Sequence, residues 1–380
     1  MAAPVRVFLA CTGLGHERRG FETFTRECED ALRSEASLAL TVFAGGRDGH
    51  VAGERVVPNL PRGSRMAKAL GAILRRDPYF VEQGSFFVGF VPELLRGKPD
   101  IVYFADLNLG NALWHWRART GARWRLLFYN GGNTTMPFTR SDHVQQVTPA
   151  AFDGARARGE RADRMTLLPH GIALGPTFTP TDAAARARAR ESLGLPRDRA
   201  RDREILLSVG QLERSTKRTD LLIEAVASLP EPRPYLLLVG ADGPDGDGLR
   251  ALARARLGDQ WSWRTEARDR MPLVYAAADR FTLLSHGEGF GLAYVEALAA
   301  GLPLLAHDDA TTQYVVANAG LRRAITTVDD ARAGLEALGA MPTDAAAARA
   351  RHESVRARFA WELLRARYVA LFHAVAAGPA

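Results

Sequence analysis

The 380-residue chain is too long for one ordinary domain and of a length for two. Hydrophobic residues at 47% and charged residues at 24% exclude a disordered chain, and 35 Gly with 20 Pro exclude a collagen-like or low-complexity one. The 50 Lys and Arg against 43 Asp and Glu leave a formal charge of +7, which favours anionic partners.

That excess is mostly arginine, scattered through Ala/Arg-rich segments such as Ala183–Arg190 and Ala345–Arg351, and it reads as solvated helix faces. No zinc finger, basic zipper or RNA-binding aromatic pair occurs, so no nucleic-acid partner is expected. A peripheral membrane contact stays open on charge alone, although no basic amphipathic helix with bulky apolar anchors stands out. No apolar run reaches the ~18 residues of a spanning helix. The N-terminal stretch reads as a first strand and not as a secretory signal, because no basic residues precede its short apolar run. Two cysteines, Cys11 and Cys28, form neither a disulfide framework nor a metal-ligand spacing, and a cytoplasmic location fits.

In chain order, strands are predicted over Val5–Cys11, Leu38–Ala44, Ile101–Ala105, Trp124–Tyr129, Met165–Leu168, Ile205–Val209, Tyr235–Val239, Phe281–Ser285 and Pro303–Ala306. Several are apolar at consecutive positions, as strands buried on both faces are. Helical windows such as Glu22–Arg33, Asp220–Leu229, Gly248–Leu257 and Ala293–Ala299 lie between them. The alternation predicts doubly wound parallel sheets, and the pattern runs twice. Leu168-Pro169-His170-Gly171-Ile172, followed by Gly175, Pro176 and Pro180, punctuates the chain as a linker. His170 there is read equally as a ligand-facing or a packed residue. Near the end, Phe359, Leu363, Leu364, Tyr368, Leu371 and Phe372 have helical spacing.

Four loops carry chemistry. After the first strand, Thr12-Gly13-Leu14-Gly15-His16-Glu17-Arg18-Arg19-Gly20-Phe21-Glu22 is a glycine-bearing turn into a helix. Phe128-Tyr129-Asn130-Gly131 ends another strand; Asn130 can bond hydroxyls but cannot be a general base at neutral pH, and an Asn-Gly turn is the plain alternative. Gly210-Gln211-Leu212-Glu213-Arg214-Ser215-Thr216-Lys217-Arg218 leads from a strand to a helix, with Lys217 placed to neutralise a leaving diphosphate. Glu288-Gly289-Phe290-Gly291-Leu292-Ala293-Tyr294-Val295-Glu296 puts glycines at a helix start, where free N–H groups suit an anion. Its two carboxylates, with seven residues between them, lie along one edge of a site and can accept from sugar hydroxyls. Asp245-Gly246-Asp247 spells a metal-binding Asp-x-Asp but sits in a Gly/Pro/Asp-rich turn, and the histidines lack ligand spacing, so no metal is expected.

The E-x7-E segment in this strand–loop–helix context resembles the retaining GT-B glycosyltransferases of glycosyltransferase family 4. The resemblance implies two Rossmann-like domains facing across a cleft. It places an N-terminal acceptor-binding domain over 1–172 with a returning helix over 360–380, the return being marked by Phe359-Ala360-Trp361-Glu362. A nucleotide-sugar-binding domain occupies 173–359. It implies transfer of a sugar from a nucleoside-diphosphate sugar, such as a UDP- or GDP-hexose, to an acceptor hydroxyl with retention, without cofactor or metal. Lys217, Glu288 and Asn130 fall on catalytic or sugar-positioning places. Gly210, Gln211, Arg218, Gly289, Phe290, Gly291, Leu292 and Glu296 fall on the donor site, with Glu296 at the ribose. Gly15, Arg19 and Gly20 fall on the phosphate and acceptor loop. Gln211 stands where relatives have arginine, Asn130 where many have histidine, and Arg19 where they have glycine. Two alternatives stay open: another GT-B chemistry, such as a sugar-nucleotide epimerase or a phosphorylase, and, because Gln211 and Asn130 depart from the family, a non-catalytic sugar-nucleotide-binding protein.

Overall fold

A computed structural model describes residues 3–17, 20–48, 53–132, 134–135, 137–175, 178–195 and 204–378. The chain divides into two compact units, Met1–Gly171 with Trp361–Ala380, and Ile172–Ala360.

The first unit is built on a seven-stranded parallel sheet: β1 (Val5–Cys11), β2 (Leu38–Ala44), β3 (Arg55–Val56), β4 (Ile101–Phe104), β5 (Arg125–Asn130), β6 (His143–Gln146) and β7 (Met165–Leu167). Their order is β3-β2-β1-β4-β5-β6-β7. In β1, Val7 to Cys11 are all buried, because both sheet faces are covered. Alternation sorts the side chains. Phe8, Phe43 and Phe90 meet at ring separations of 4.6–6.2 Å on one face, with the helix Pro78–Gly97. On the other, Tyr103 and Tyr129 meet Phe24 of the helix Gly20–Leu32 and Phe372 and Tyr368 of the last helix, Trp361–Ala377.

The last helix is anchored to this unit by polar bonds as well. Tyr368 donates to Pro169 O at 2.8 Å and accepts from Gln145 Nε2 at 2.9 Å, and Trp361 Nε1 reaches Glu27 at 3.4 Å. Trp361 also packs over Gly171 so closely that a Cβ there would lie 2.5 Å from its ring.

The second unit carries a six-stranded parallel sheet: β8 (Ile205–Val209), β9 (Tyr235–Val239), β10 (Trp261–Arg264), β11 (Arg280–Leu283), β12 (Leu304–His307) and β13 (Leu321–Arg323), ordered β10-β9-β8-β11-β12-β13. Strand order reverses between β1 and β4 in one sheet and between β8 and β11 in the other. Ligands of doubly wound sheets bind at the carboxyl ends beside such a reversal.

Nine strands lie where the apolar runs predict them, within one or two residues. Four do not come from apolar runs. β3 has two residues, β13 reads Leu-Arg-Arg at a sheet edge, β10 reads Trp-Ser-Trp-Arg, and β6 is His-Val-Gln-Gln with both glutamines fully buried. Tertiary hydrogen bonds make β6 possible: Gln145 is satisfied by Tyr103, Leu168 O and Tyr368, and Gln146 accepts from Asn130. Among the described residues, no helix is long and apolar enough to cross a membrane.

Candidate functional site

The second unit brings the Lys217 loop and the Glu288–Glu296 segment together, because they follow β8 and β11, the strands at the reversal. His286 N donates to Thr216 O at 2.8 Å, which joins the two loops. Lys217 Nζ pairs with Glu288 Oε1, and both side chains are largely shielded, at 20% and 13% exposure. Gly210 makes room for that lysine: a Cβ on it would sit 3.3 Å from Lys217 Cδ. Thr311 Oγ1 donates to Glu288 O at 2.9 Å and steadies the loop from β12's side.

The helix Leu292–Ala299 begins at Gly291, whose φ is +75°, and no side chain caps its first N–H groups. Only glycine fits there, since a Cβ would lie 2.5 Å from the Tyr294 ring. Gly289 and Leu292 are half-buried, with their backbone at this helix entry. Phe290 is 5% exposed and edge-on to Phe359 at 5.4 Å, so its ring anchors the loop while its backbone N–H belongs to the helix entry.

Glu296 is 3% exposed. One carboxylate oxygen pairs with Arg268 Nη1, and the other accepts from Tyr275 OH at 2.7 Å. Burial, with the Glu296 charge beside it, pushes the Tyr275 phenol well above its ordinary range, so it remains a donor. Neither Arg268 nor Tyr275 was legible in the sequence, since they come from the segment after β10, far along the chain from Glu296. The result is two carboxylates, each held by a cation, one just before an uncapped helix start and one within that helix.

Several expected cations and amides are engaged elsewhere. Arg218, with φ of +49°, starts the helix Thr219–Ala227 and donates to Leu284 O and Ile325 O, both at 2.6 Å, which leaves only Nη2 without a partner. Burial lowers its pKa, yet a guanidinium stays charged. Arg218 is therefore chiefly a loop brace. Its neighbour His307, buried at the end of β12, accepts Ile325 N at Nδ1. Burial, Arg218 and His286 all lower its pKa, favouring the neutral imidazole. Arg214 donates through its backbone N–H to Asp245 and pairs with Asp220 at 3.0 Å. Gln211 is exposed, with a 3.4 Å contact to Asp242 O. Asp245 and Asp247 stand at the start of the helix Gly246–Leu257, where Asp247 and Asp242 both pair with Arg250. Among the described residues, no group of three or more His, Cys, Asp or Glu is placed to hold a metal ion.

In the first unit the expected residues turn out to be largely structural. Gly15, with φ of +89°, lies where its chain crosses Gly46; a Cβ would come within 2.3 Å of Gly46 C, so this glycine serves a backbone crossing. Gly20 begins the helix Gly20–Leu32 with open space around it, and Arg19 lies outside the described residues. Asn130 is corrected from a sugar-facing position. It is 1% exposed, donates to Thr134 O at 3.1 Å and Gln146 Oε1 at 2.8 Å, and accepts from Thr134 N at 2.8 Å. Every polar atom of its side chain thus holds its own turn. His170 is a packed residue, 2.9 Å from Tyr129 OH and edge-on to Phe24.

The reversal between β1 and β4 instead carries a buried acidic network that the sequence reading missed. Asp106 accepts from Thr12 Oγ1 at 2.7 Å and from Tyr79 OH. Glu82, fully buried, accepts from His16 Nε2 at 3.1 Å and from Arg62 N and Nε at 2.7 and 3.0 Å. Burial alone would raise the Glu82 pKa, but the bonds from His16 and Arg62 outweigh it and hold the carboxyl at about 2. Its signal was present: Glu82-Gln83 interrupts the apolar run Tyr79–Phe90.

The profile of glycosyl transferases group 1 matches residues 196–352. A D-inositol 3-phosphate glycosyltransferase of Actinosynnema mirum is 34% identical over 336 residues, which cover 80% of this chain and 76% of that protein. The match to its counterpart from Xylanimonas cellulosilytica, 35% identical over 173 residues, spans 43% of this chain and only 39% of that protein. Among solved structures, sucrose-phosphate synthase from Thermosynechococcus elongatus matches with a TM-score of 0.77 at 21% identity, covering 97% of this chain and 98% of that one. Anabaena HepE in complex with UDP and glucose matches with a TM-score of 0.71 at 17% identity, covering 97% and 99%. The paired Rossmann-like units have the GT-B fold, and the chain belongs to the group 1 glycosyltransferases.

Proposed function

We propose that this glycosyltransferase uses a nucleoside-diphosphate sugar, binds it in the second unit, and transfers the sugar with retention and without a metal ion. The observation that carries the reading is the alternation Lys217–Glu288 and Arg268–Glu296 around the uncapped start of the helix Leu292–Ala299. Carboxylates accept from sugar hydroxyls, while the helix N–H groups and the lysine suit a diphosphate. Glu296 would hold the ribose and Glu288 the transferred sugar. HepE, a fold relative, is described in complex with UDP-glucose, which makes UDP-sugars the first donors to try.

In this mechanism the acceptor oxygen bonds to the anomeric carbon as the bond to the diphosphate oxygen breaks. The departing diphosphate takes the acceptor proton on the same face. Lys217 and the Gly289–Leu292 amides stabilise the charge that develops, which is the main catalytic contribution expected of such groups. The first unit is the candidate acceptor module. The name of the relatives makes inositol 3-phosphate the first acceptor to assay.

A thermal-shift screen against UDP-, GDP- and ADP-hexoses tests the donor: a ligand at ~100 times its Kd stabilises by about 2.7 kcal/mol. Turnover in EDTA and proton NMR of the first product test the rest. Activity that survives EDTA and an α-product from an α-donor are expected. A β-product, full dependence on a divalent ion, or turnover of the donor alone by epimerisation would overturn the proposal.

A further inference from the structure

Seven large hydrophobic side chains are strongly exposed among the described residues, and five of them lie on two consecutive helices of the first unit. Met66, Ile73 and Leu74 belong to the helix Arg65–Leu74, at 60%, 76% and 55% exposure; Val88 and Leu95 belong to Pro78–Gly97. The first of these helices has three stripes. Ala67 and Gly71 are buried and face the unit. Met66, Ala69, Leu70 and Ile73 follow at i, i+3, i+4 and i+7, the spacing of one helix face, yet Met66, Ala69 and Ile73 are exposed and Leu70 half-exposed. Arg65 and Lys68 form the third stripe, and Arg75 and Arg76 extend the basic charge past the helix end.

The helix contains no acidic residue, and among the described residues no carboxylate pairs with Arg65, Lys68, Arg75 or Arg76. An isolated apolar stripe of this size is costly in water unless something covers it. Four cations without a carboxylate partner, of which Arg76 lies over the Phe80 ring at 5.4 Å, select a surface that is apolar below and anionic above. A second copy of the chain would bring like charges together, whereas an anionic bilayer satisfies both features. We propose that the helix Arg65–Leu74 docks this protein on anionic lipid, lying in the interface with Met66, Ile73 and Leu74 inserted. The sequence alone hid this feature, because helical periodicity does not say which apolar stripe the core takes.

Flotation of the full chain with phosphatidylglycerol/phosphatidylcholine vesicles, against phosphatidylcholine alone, tests the docking without any substrate. Binding to the anionic vesicles is expected. Arg65→Glu/Lys68→Glu should weaken it by at least about tenfold, since each basic residue near such a surface contributes roughly fivefold. Ile73→Glu should weaken it independently, and an Ile73→Trp reporter should shift its emission to the blue on vesicles. All three positions are exposed, so melting temperatures should stay near wild type. Equal binding to neutral and anionic vesicles, or variants that bind like wild type, would overturn the proposal. So would a dimer in solution that Ile73→Glu dissociates while vesicles recruit nothing, because the stripe would then be a self-association face.

Discussion

Glu288→Gln separates two roles that the Lys217–Glu288 pair combines. Both side chains are largely shielded, so a diphosphate that reaches Lys217 must compete with the carboxylate. A hydrogen bond to a charged group contributes about 1.5–3 kcal/mol net. Glutamine keeps the shape and a neutral acceptor, so roughly half of that is released for the ligand. About 1 kcal/mol should appear as a five- to tenfold tighter Kd for nucleoside diphosphate. The same substitution removes the charged acceptor proposed for the sugar, so kcat with the sugar donor should fall by about 10- to 150-fold. Calorimetry with the diphosphate alone and product formation with the full donor read the two effects, which have opposite signs. Weaker or unchanged diphosphate binding would mean that Glu288 does not hold Lys217 back. Unchanged kcat would remove Glu288 from the sugar.

Glu296→Gln keeps an acceptor for Tyr275 and takes away the anionic partner of Arg268, which is 35% exposed and can rehydrate. Donor affinity should drop by about 1.5–3 kcal/mol with little change in melting temperature; a folded variant with wild-type affinity removes Glu296 from the ribose. Asn130→Ala should behave the other way, losing about 1–3 kcal/mol of stability because its turn is unlocked, at unchanged donor affinity in the surviving fold. A fall in kcat without a fall in stability would return Asn130 to the chemistry. Glu82 has a folded pKa of about 2, below its unfolded value, so its contribution is complete above about pH 5 and is lost as pH falls toward 2. Chemical melts across that range should show Glu82→Gln with a flatter profile than wild type; parallel profiles would exclude Glu82 as the acid-sensitive group.

The sequence by itself determined the α/β class, the two-fold repetition of the pattern and the segment that carries Glu288 and Glu296. Those features are local: runs of apolar residues make strands covered on both faces, and glycines at strand ends make turns into helices. Polar strands were illegible because their stability comes from partners far along the chain, as when Gln145 in β6 meets Tyr368, 223 residues away. The same limit applies to the site. Spacing located Lys217 and Glu288, but only the reversal of strand order between β8 and β11 made them a pair, and only the folding of the segment after β10 supplied Arg268 and Tyr275 to Glu296. Tertiary structure also withdrew Asn130 into its own turn and assigned Gly15 to a backbone crossing. A residue's type states what it can bond; which of its atoms remain available is decided by the neighbours that folding brings to it.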